Sequence, residues 1–321
     1  MAQAPVRQQR PRPEAPARPR AVRAVTWDEA VEAFIAAKES ENISPSTVTN
    51  YRWHLTGTRA RQFCSDHGIT SPAQLNADTL RALQREVLAA GVSPALAHAF
   101  HRVWKNFAGF CLEQGYATEA DVLRVKAPKQ PMVEPEVFTL DDERRLLEAA
   151  APGRDRMIVE LMLRTGLRLD ELLSLVVDDV VEGPEGAYLR VRQGKGRKDR
   201  IVPLDSPKAK LSPKLRQYIR AARPADASSP HLFLRTRRNG GEYTPLTRRG
   251  LQILMQRLGQ RTGLHVHPHK FRHTFATRSL AAGVDVMALQ RVLGHTTLAM
   301  VSRYVHYQKD DLLDAWRKRR D

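Results

Sequence analysis

Residues 268–307 read PHKFRHTFATRSLAAGVDVMALQRVLGHTTLAMVSRYVHY. Punctuation alone divides this stretch into three helices. Pro268 suits the first position of a helix, where no N–H is needed. Gly283 stops that helix, and Asp285 caps the next. Gly294 terminates the second helix and leaves His295 in a turn. Tyr304 follows nine residues later, on a third helix over TLAMVSRYVHY. His269 and Arg272 are three apart and share one face of the first helix, with His273 beside them. The bland readings are a core tyrosine and surface histidines. The run His265-Val-His-Pro-His269 also invites a metal reading, but Pro268 interrupts its geometry and no cysteine or carboxylate joins it.

Toward the N-terminus, Gly166 ends a helix and Arg168 stands in the turn of TGLRLDEL, before a helix over 169–175. A guanidinium beside a helix N-terminus is well placed for an anion. The plain alternative is a surface arginine paired with Asp170 or Glu171. The segment Ala187-Tyr-Leu-Arg-Val-Arg192 alternates like a strand, and Ile201-Val-Pro-Leu204 makes a second. Between them lies Gln193-Gly-Lys-Gly-Arg-Lys-Asp-Arg200, whose glycines flank Lys195. It lacks the phosphate-loop spacing and joins two strands, so it is not a nucleotide-binding loop. Arg197, Lys198 and Arg200 are expected to bind DNA from this basic hairpin. Simple solvation is the alternative.

The chain has 321 residues and a formal net charge of +17, which points to a polyanion such as DNA or RNA. No apolar run approaches the roughly 18 residues that cross a bilayer, so a membrane partner is not expected. The N-terminus has no apolar secretory core. Cys64 and Cys111, without metal-type spacing, fit a reduced, cytoplasmic protein.

Residues 1–24 are Arg, Pro and Ala with little apolar bulk, and a disordered basic arm is expected there. Residues 25–125 read as a helical domain. Thr26-Trp-Asp-Glu29 is a capping box, and Ser-Pro recurs at Ser44, Ser71 and Ser93. A helix predicted from Ser44 to Arg61 offers Thr47, Asn50 and Arg52, with Thr49 and His54, as a candidate DNA-facing surface; simple solvation of that face is the plainer alternative. Residues 126–137, with three prolines, read as a linker. A second domain runs over 138–308 and a tail over 309–321. Leu312, Leu313 and Trp316 form a short apolar stripe on that tail, which must bury either against its own domain or against a neighbouring protomer. The fold class is mainly α with a small antiparallel β-sheet, in two domains.

Together Arg168, His269, Arg272, His295 and Tyr304 suit attack by a tyrosine on a phosphodiester. Two guanidiniums can hold a five-coordinate phosphate, two imidazoles can donate or move protons, and a phenol can be the nucleophile. Their order and spacing resemble the tyrosine recombinases of the phage-integrase family, over about residues 26–308. The resemblance implies that Arg168, Lys195, His269, Arg272, His295 and Tyr304 are catalytic. Lys195 would be the general acid, with Lys198 its rival, and Glu171 would orient the site. Val305 departs from the family's commoner threonine.

The resemblance further implies a helical SAM-like core-binding domain and a recombinase catalytic domain, clamped on duplex DNA that carries an inverted-repeat site. It implies a 3′-phosphotyrosine, a Holliday junction and a homotetramer linked by the C-terminal tail, with accessory proteins an open addition. It calls for no cofactor, neither ATP nor a metal. The stretch before Thr26 is too short for the extra domain some members carry, so the likeness is to the simple two-domain members. The rivals are a type IB topoisomerase, which would religate the same strand, and a non-catalytic DNA-binding protein.

Overall fold

A computed structural model describes residues 23–117, 119–130, 135–192, 199–206, 209–237 and 240–295. The chain divides into two compact units, Met1–Met132 and Val133–Asp321.

Among its described residues the first unit holds five α-helices: α1 Trp27–Ser40, α2 Pro45–Thr56, α3 Thr58–Asp66, α4 Ala77–Ala89 and α5 Pro94–Glu113. Thr26 and Glu29 cap α1 reciprocally, and Ser44 and Ser93 cap α2 and α5. Ser71 opens only a single 3-10 turn, Pro72–Gln74. The predicted continuous helix from Ser44 to Arg61 is broken. Gly57 turns extended between α2 and α3, and a Cβ on it would lie 2.5 Å from the Trp53 carbonyl oxygen. An aromatic core fills the unit. Trp27 and Trp104 pack at 5.0 Å, and their indole N–H groups donate to the carbonyls of Leu55 and His54. Burial pushes the Cys64 thiol up to about 11 and the Cys111 thiol to about 12, so both are inert. Of the expected disordered arm, Arg23 is already fixed. Its N–H donates to the Gly115 carbonyl at 2.8 Å and its guanidinium lies over Tyr116. Residues 1–22 lie outside the described residues.

The second unit begins with α6 Leu140–Ala149, capped by Thr139 and Asp142, then α7 Arg154–Thr165 and α8 Leu169–Ser174. Three antiparallel strands follow in the order β1 Val180–Gly183, β2 Gly186–Val191 and β3 Arg200–Pro203. Leu189 pairs with Val180 on one side and Val202 on the other. The sequence reading has β2 and β3 but not β1, whose four residues end in exposed Glu182 and Gly183. A two-residue pair, β4 Asp205–Ser206 and β5 Ala209–Lys210, precedes α9 Ser212–Gln217, which runs on as a π-turn over Tyr218–Ala222. The unit then continues with α10 Arg248–Thr262, α11 Pro268–Ala281 and α12 Val286–Leu293. Helix α7 is buried along most of its length and packs against α11.

The end of the expected linker belongs to this unit. Phe138 is buried against Phe271, its N–H donates to Thr274 Oγ1 at 2.9 Å, and Arg278 donates to its carbonyl. Lys270 reaches Glu136 at 3.1 Å and lies over the Phe138 ring. Residues 136–138 therefore brace the back of α11. The tail, residues 309–321 with Leu312, Leu313 and Trp316, lies outside the described residues. No helix among the described residues is long and apolar enough to cross a membrane.

Candidate active site

A helix leaves its last carbonyls without partners inside the helix. At the end of α12, three consecutive carbonyls accept hydrogen bonds from three arginines, each from a different part of the unit. The carbonyl of Val292 accepts from Arg200 Nε at 2.7 Å. That of Leu293 accepts from Arg272 Nη2 at 2.6 Å, and that of Gly294 from Arg168 Nη2 at 2.9 Å. Positive charge is favoured at the negative end of a helix. The chain must close tightly for this. Gly294 is left-handed, with φ of +64°, and a Cβ on it would lie 3.1 Å from Arg200 Cδ and 3.5 Å from Arg168 Nη1.

Arg272, on α11, is 4 % exposed. Its Nη1 donates to the Gly166 carbonyl at 2.7 Å, so its guanidinium joins the C-terminal ends of α7 and α12. Gly166 is also left-handed, and a Cβ there would fall 2.4 Å from Phe275 Cδ1 on α11. The glycine that stops α7 thus lets α11 come close, and Arg168 follows two residues on as the N-cap of α8.

Glu171 ties the turn together. Its Oε1 accepts from Arg168 Nη1 and Arg200 Nη1, each at 2.8 Å. Its Oε2 accepts from Arg200 Nη2 at 2.8 Å and from the Arg168 backbone N–H at 2.7 Å. Burial raises this carboxyl, but the hydrogen bonds and charge of Arg200, joined by Arg168, outweigh it and bring it down to about 2. Three guanidiniums against one carboxylate leave the cluster net positive, as an anion such as a phosphodiester requires.

Arg168, Glu171, Arg272 and the backbone of His295 therefore converge on one helix end. His295 is half-buried. Its N–H donates to the Gln290 carbonyl, and its own carbonyl accepts from Gln290 Nε2. His269 is exposed on the first turn of α11, one turn before Arg272, with the His273 ring 6.4 Å away. Lys195, Arg197, Lys198 and Tyr304 lie outside the described residues.

Arg200 is not placed as the sequence reading has it. Only 9 % of its side chain is exposed, and its fork is occupied by Glu171 and Val292, so it is built into the protein instead of facing DNA. Strand alternation carried that signal. Val202 and Leu204 are buried while Ile201 and Pro203 are exposed, which turns Arg200 inward. His267 is the other missed residue. Its Nδ1 accepts the Lys270 N–H and so caps α11, which occupies one nitrogen of the histidine run. Among the described residues, no three His, Cys, Asp or Glu side chains are grouped to hold a metal ion.

On α2, Asn50 is exposed, while the Thr47 side chain is bonded to Ser44 at the cap. Arg52 is exposed but paired with Glu32, and His54 is buried at 1 %, which removes it from the expected surface.

The phage integrase family matches residues 136–311. The tyrosine recombinase XerA of Pyrococcus furiosus is 32 % identical over 289 residues, covering 89 % of this chain and 92 % of that protein. The tyrosine recombinase XerD of Corynebacterium glutamicum is 36 % identical over 220 residues, covering 65 % of this chain and 69 % of that one. Among solved structures, a lambda integrase fragment, a dimer bound to a COC′ core site, is similar with a TM-score of 0.69 at 20 % identity. That match covers 87 % of this chain and 95 % of the fragment, a likeness of fold.

Proposed function

The chain belongs to the phage integrase family, with tyrosine recombinases as its relatives, and from that premise we propose how it cuts and rejoins DNA. It is a site-specific DNA recombinase. Arg168 and Arg272 hold the non-bridging oxygens of the scissile phosphate and stabilise the charge of the five-coordinate transition state. Tyr304 Oη passes its proton to a neighbouring imidazole, His269 or His295, and bonds to phosphorus, while the bond from phosphorus to the 5′ oxygen breaks. Lys195 protonates that departing oxygen, and His269 and His295 donate hydrogen bonds or move protons beside it. The 3′-phosphotyrosine keeps the bond energy, so a 5′-hydroxyl of a partner strand reverses the step without ATP.

Exchange passes through a Holliday junction on two inverted-repeat sites, in a tetramer whose protomers are linked by their C-terminal tails. Residues 25–125 form the core-binding domain, where Thr47, Asn50 and Arg52 face DNA, Arg52 by exchanging Glu32 for phosphate. Residues 138–308 form the catalytic domain, to which Arg197 and Lys198 add phosphate contacts.

The observation that carries this reading is the pair of guanidiniums held on the successive carbonyls of Leu293 and Gly294. Tyr304→Phe tests it. The variant should bind DNA as the wild type does and form no covalent adduct. A denaturant-resistant protein–DNA band from that variant would remove Tyr304 from its role.

A further inference from the structure

We infer that Arg200 is a positioning residue, which saturates Glu171 so that Arg168 keeps its guanidinium turned to the scissile phosphate. The inference rests on the recombinase reading. A guanidinium has five N–H groups. Arg168 uses one on Glu171 Oε1 and one on the Gly294 carbonyl, and among the described residues its other side-chain N–H groups take no partner. This division depends on Arg200. A carboxylate and a guanidinium prefer a parallel two-bond fork. Glu171 makes that fork with Arg200, through both of its oxygens at 2.8 Å, and offers Arg168 only a single side-chain bond.

Without Arg200, one partner of each carboxylate oxygen is gone. Glu171 is then free to turn and make the fork with Arg168, its neighbour on the same turn. That would draw two N–H groups of Arg168 onto the protein and tilt it away from the Gly294 carbonyl. Arg200 is itself fixed at a third point, Nε on the Val292 carbonyl, and its stem packs where only a glycine fits at 294. Its position is thus set by the same helix end that holds Arg168 and Arg272. A methionine at 200 would fill the space without the fork. A lysine would keep the charge but could not reach both Glu171 oxygens and Val292 together.

The substrate for the test is a duplex selected from a random pool by binding to the wild-type protein, nicked so that the cleaved fragment escapes and adduct accumulates. Arg200→Met should bind with an unchanged half-saturation but form adduct about 10- to 100-fold more slowly at saturation, the range that follows loss of a hydrogen-bonding partner that orients a metal ligand, taken as the yardstick for an oriented arginine. Arg200→Lys should recover part of the rate. It also carries the measurement if the methionine variant does not fold. Arg168→Ala combined with Arg200→Lys should be no slower than Arg168→Ala alone, because Arg200 acts through Arg168. A wild-type rate in both Arg200 variants would overturn the inference. So would a weakened half-saturation with an unchanged limiting rate, which would make Arg200 a DNA contact, or defects that multiply in the double variant. Each of those results leaves the recombinase reading standing. If the wild-type protein itself forms no adduct on the selected duplex, the recombinase reading falls and takes this inference with it.

Discussion

Glu171 accepts four hydrogen bonds from two arginines, and its carboxyl stays ionised at every pH where the site could work. The drop from an ordinary 4.5 to about 2 corresponds to ~3 kcal/mol of folding stability. Because the folded value is the lower one, that contribution is complete above about pH 4.5 and disappears as pH falls through about 2. Glu171→Gln removes the charge and leaves Arg200 buried without a counterion, at a cost of about 3–5 kcal/mol near neutrality. The difference in unfolding free energy between wild type and variant should be flat above pH 5 and shrink below it, as read by denaturant titration at several pH values. A difference that does not change with pH would refute the account. The Arg168–Glu171 pair was legible in the sequence because residues three apart at a helix start face each other. The pairing of Arg200 with Glu171 was not, since the two lie 29 residues apart; strand alternation turns Arg200 inward but does not name its partner.

Helix α11 carries His269 and Arg272 at its N-terminal end, and that end is capped by an imidazole. His267 Nδ1 can accept the Lys270 N–H only while it is unprotonated. Burial, then the neighbouring charges of His265 and His269, lower its pKa, with Lys270 in the same direction and Glu136 opposing. The cap is therefore intact above the ordinary histidine value of about 6.5 and is lost as pH falls toward the lower folded value. Losing a cap costs about 1 kcal/mol. The amides of Lys270 and Phe271 should exchange with solvent progressively faster as pH is lowered from 8 to below the ordinary histidine value, after correction for intrinsic rates. His267→Asn, which caps without titrating, should abolish that acceleration; if it persists, His267 is not the cause. Proline at 268 revealed where α11 begins, but not what satisfies its first N–H groups. The bracing of α11 by residues 136–138 was equally hidden. A proline-rich stretch reads as linker until Lys270, more than a hundred positions later, is seen to hold Glu136 near its end.

For the whole molecule, the excess of 52 lysines and arginines over 35 acidic residues is the main long-range force on a nucleic acid. Each phosphate neutralised should lower the logarithm of the binding constant by about 0.9 per logarithm of salt. A recombinase that grips duplex DNA with both units should give a steep slope, measured by fluorescence anisotropy between roughly 50 and 200 mM salt, where six to ten phosphate contacts change affinity 10³- to 10⁵-fold. A flat response would count against that grip. Composition announced a polyanion, and glycine and proline punctuation announced most helices. The short strand β1 and the break at Gly57 went unread, because each is decided by a neighbour's backbone and not by its own periodicity. The meeting of three arginines on the carbonyls of residues 292–294 has a genetic consequence. Those acceptors are main chain, so no side-chain replacement in α12 can delete them, and its exposed positions are free to drift. Its length is not free. Inserting or deleting one residue turns the helix end by about 100°, and every arginine would then find the wrong carbonyl in front of it.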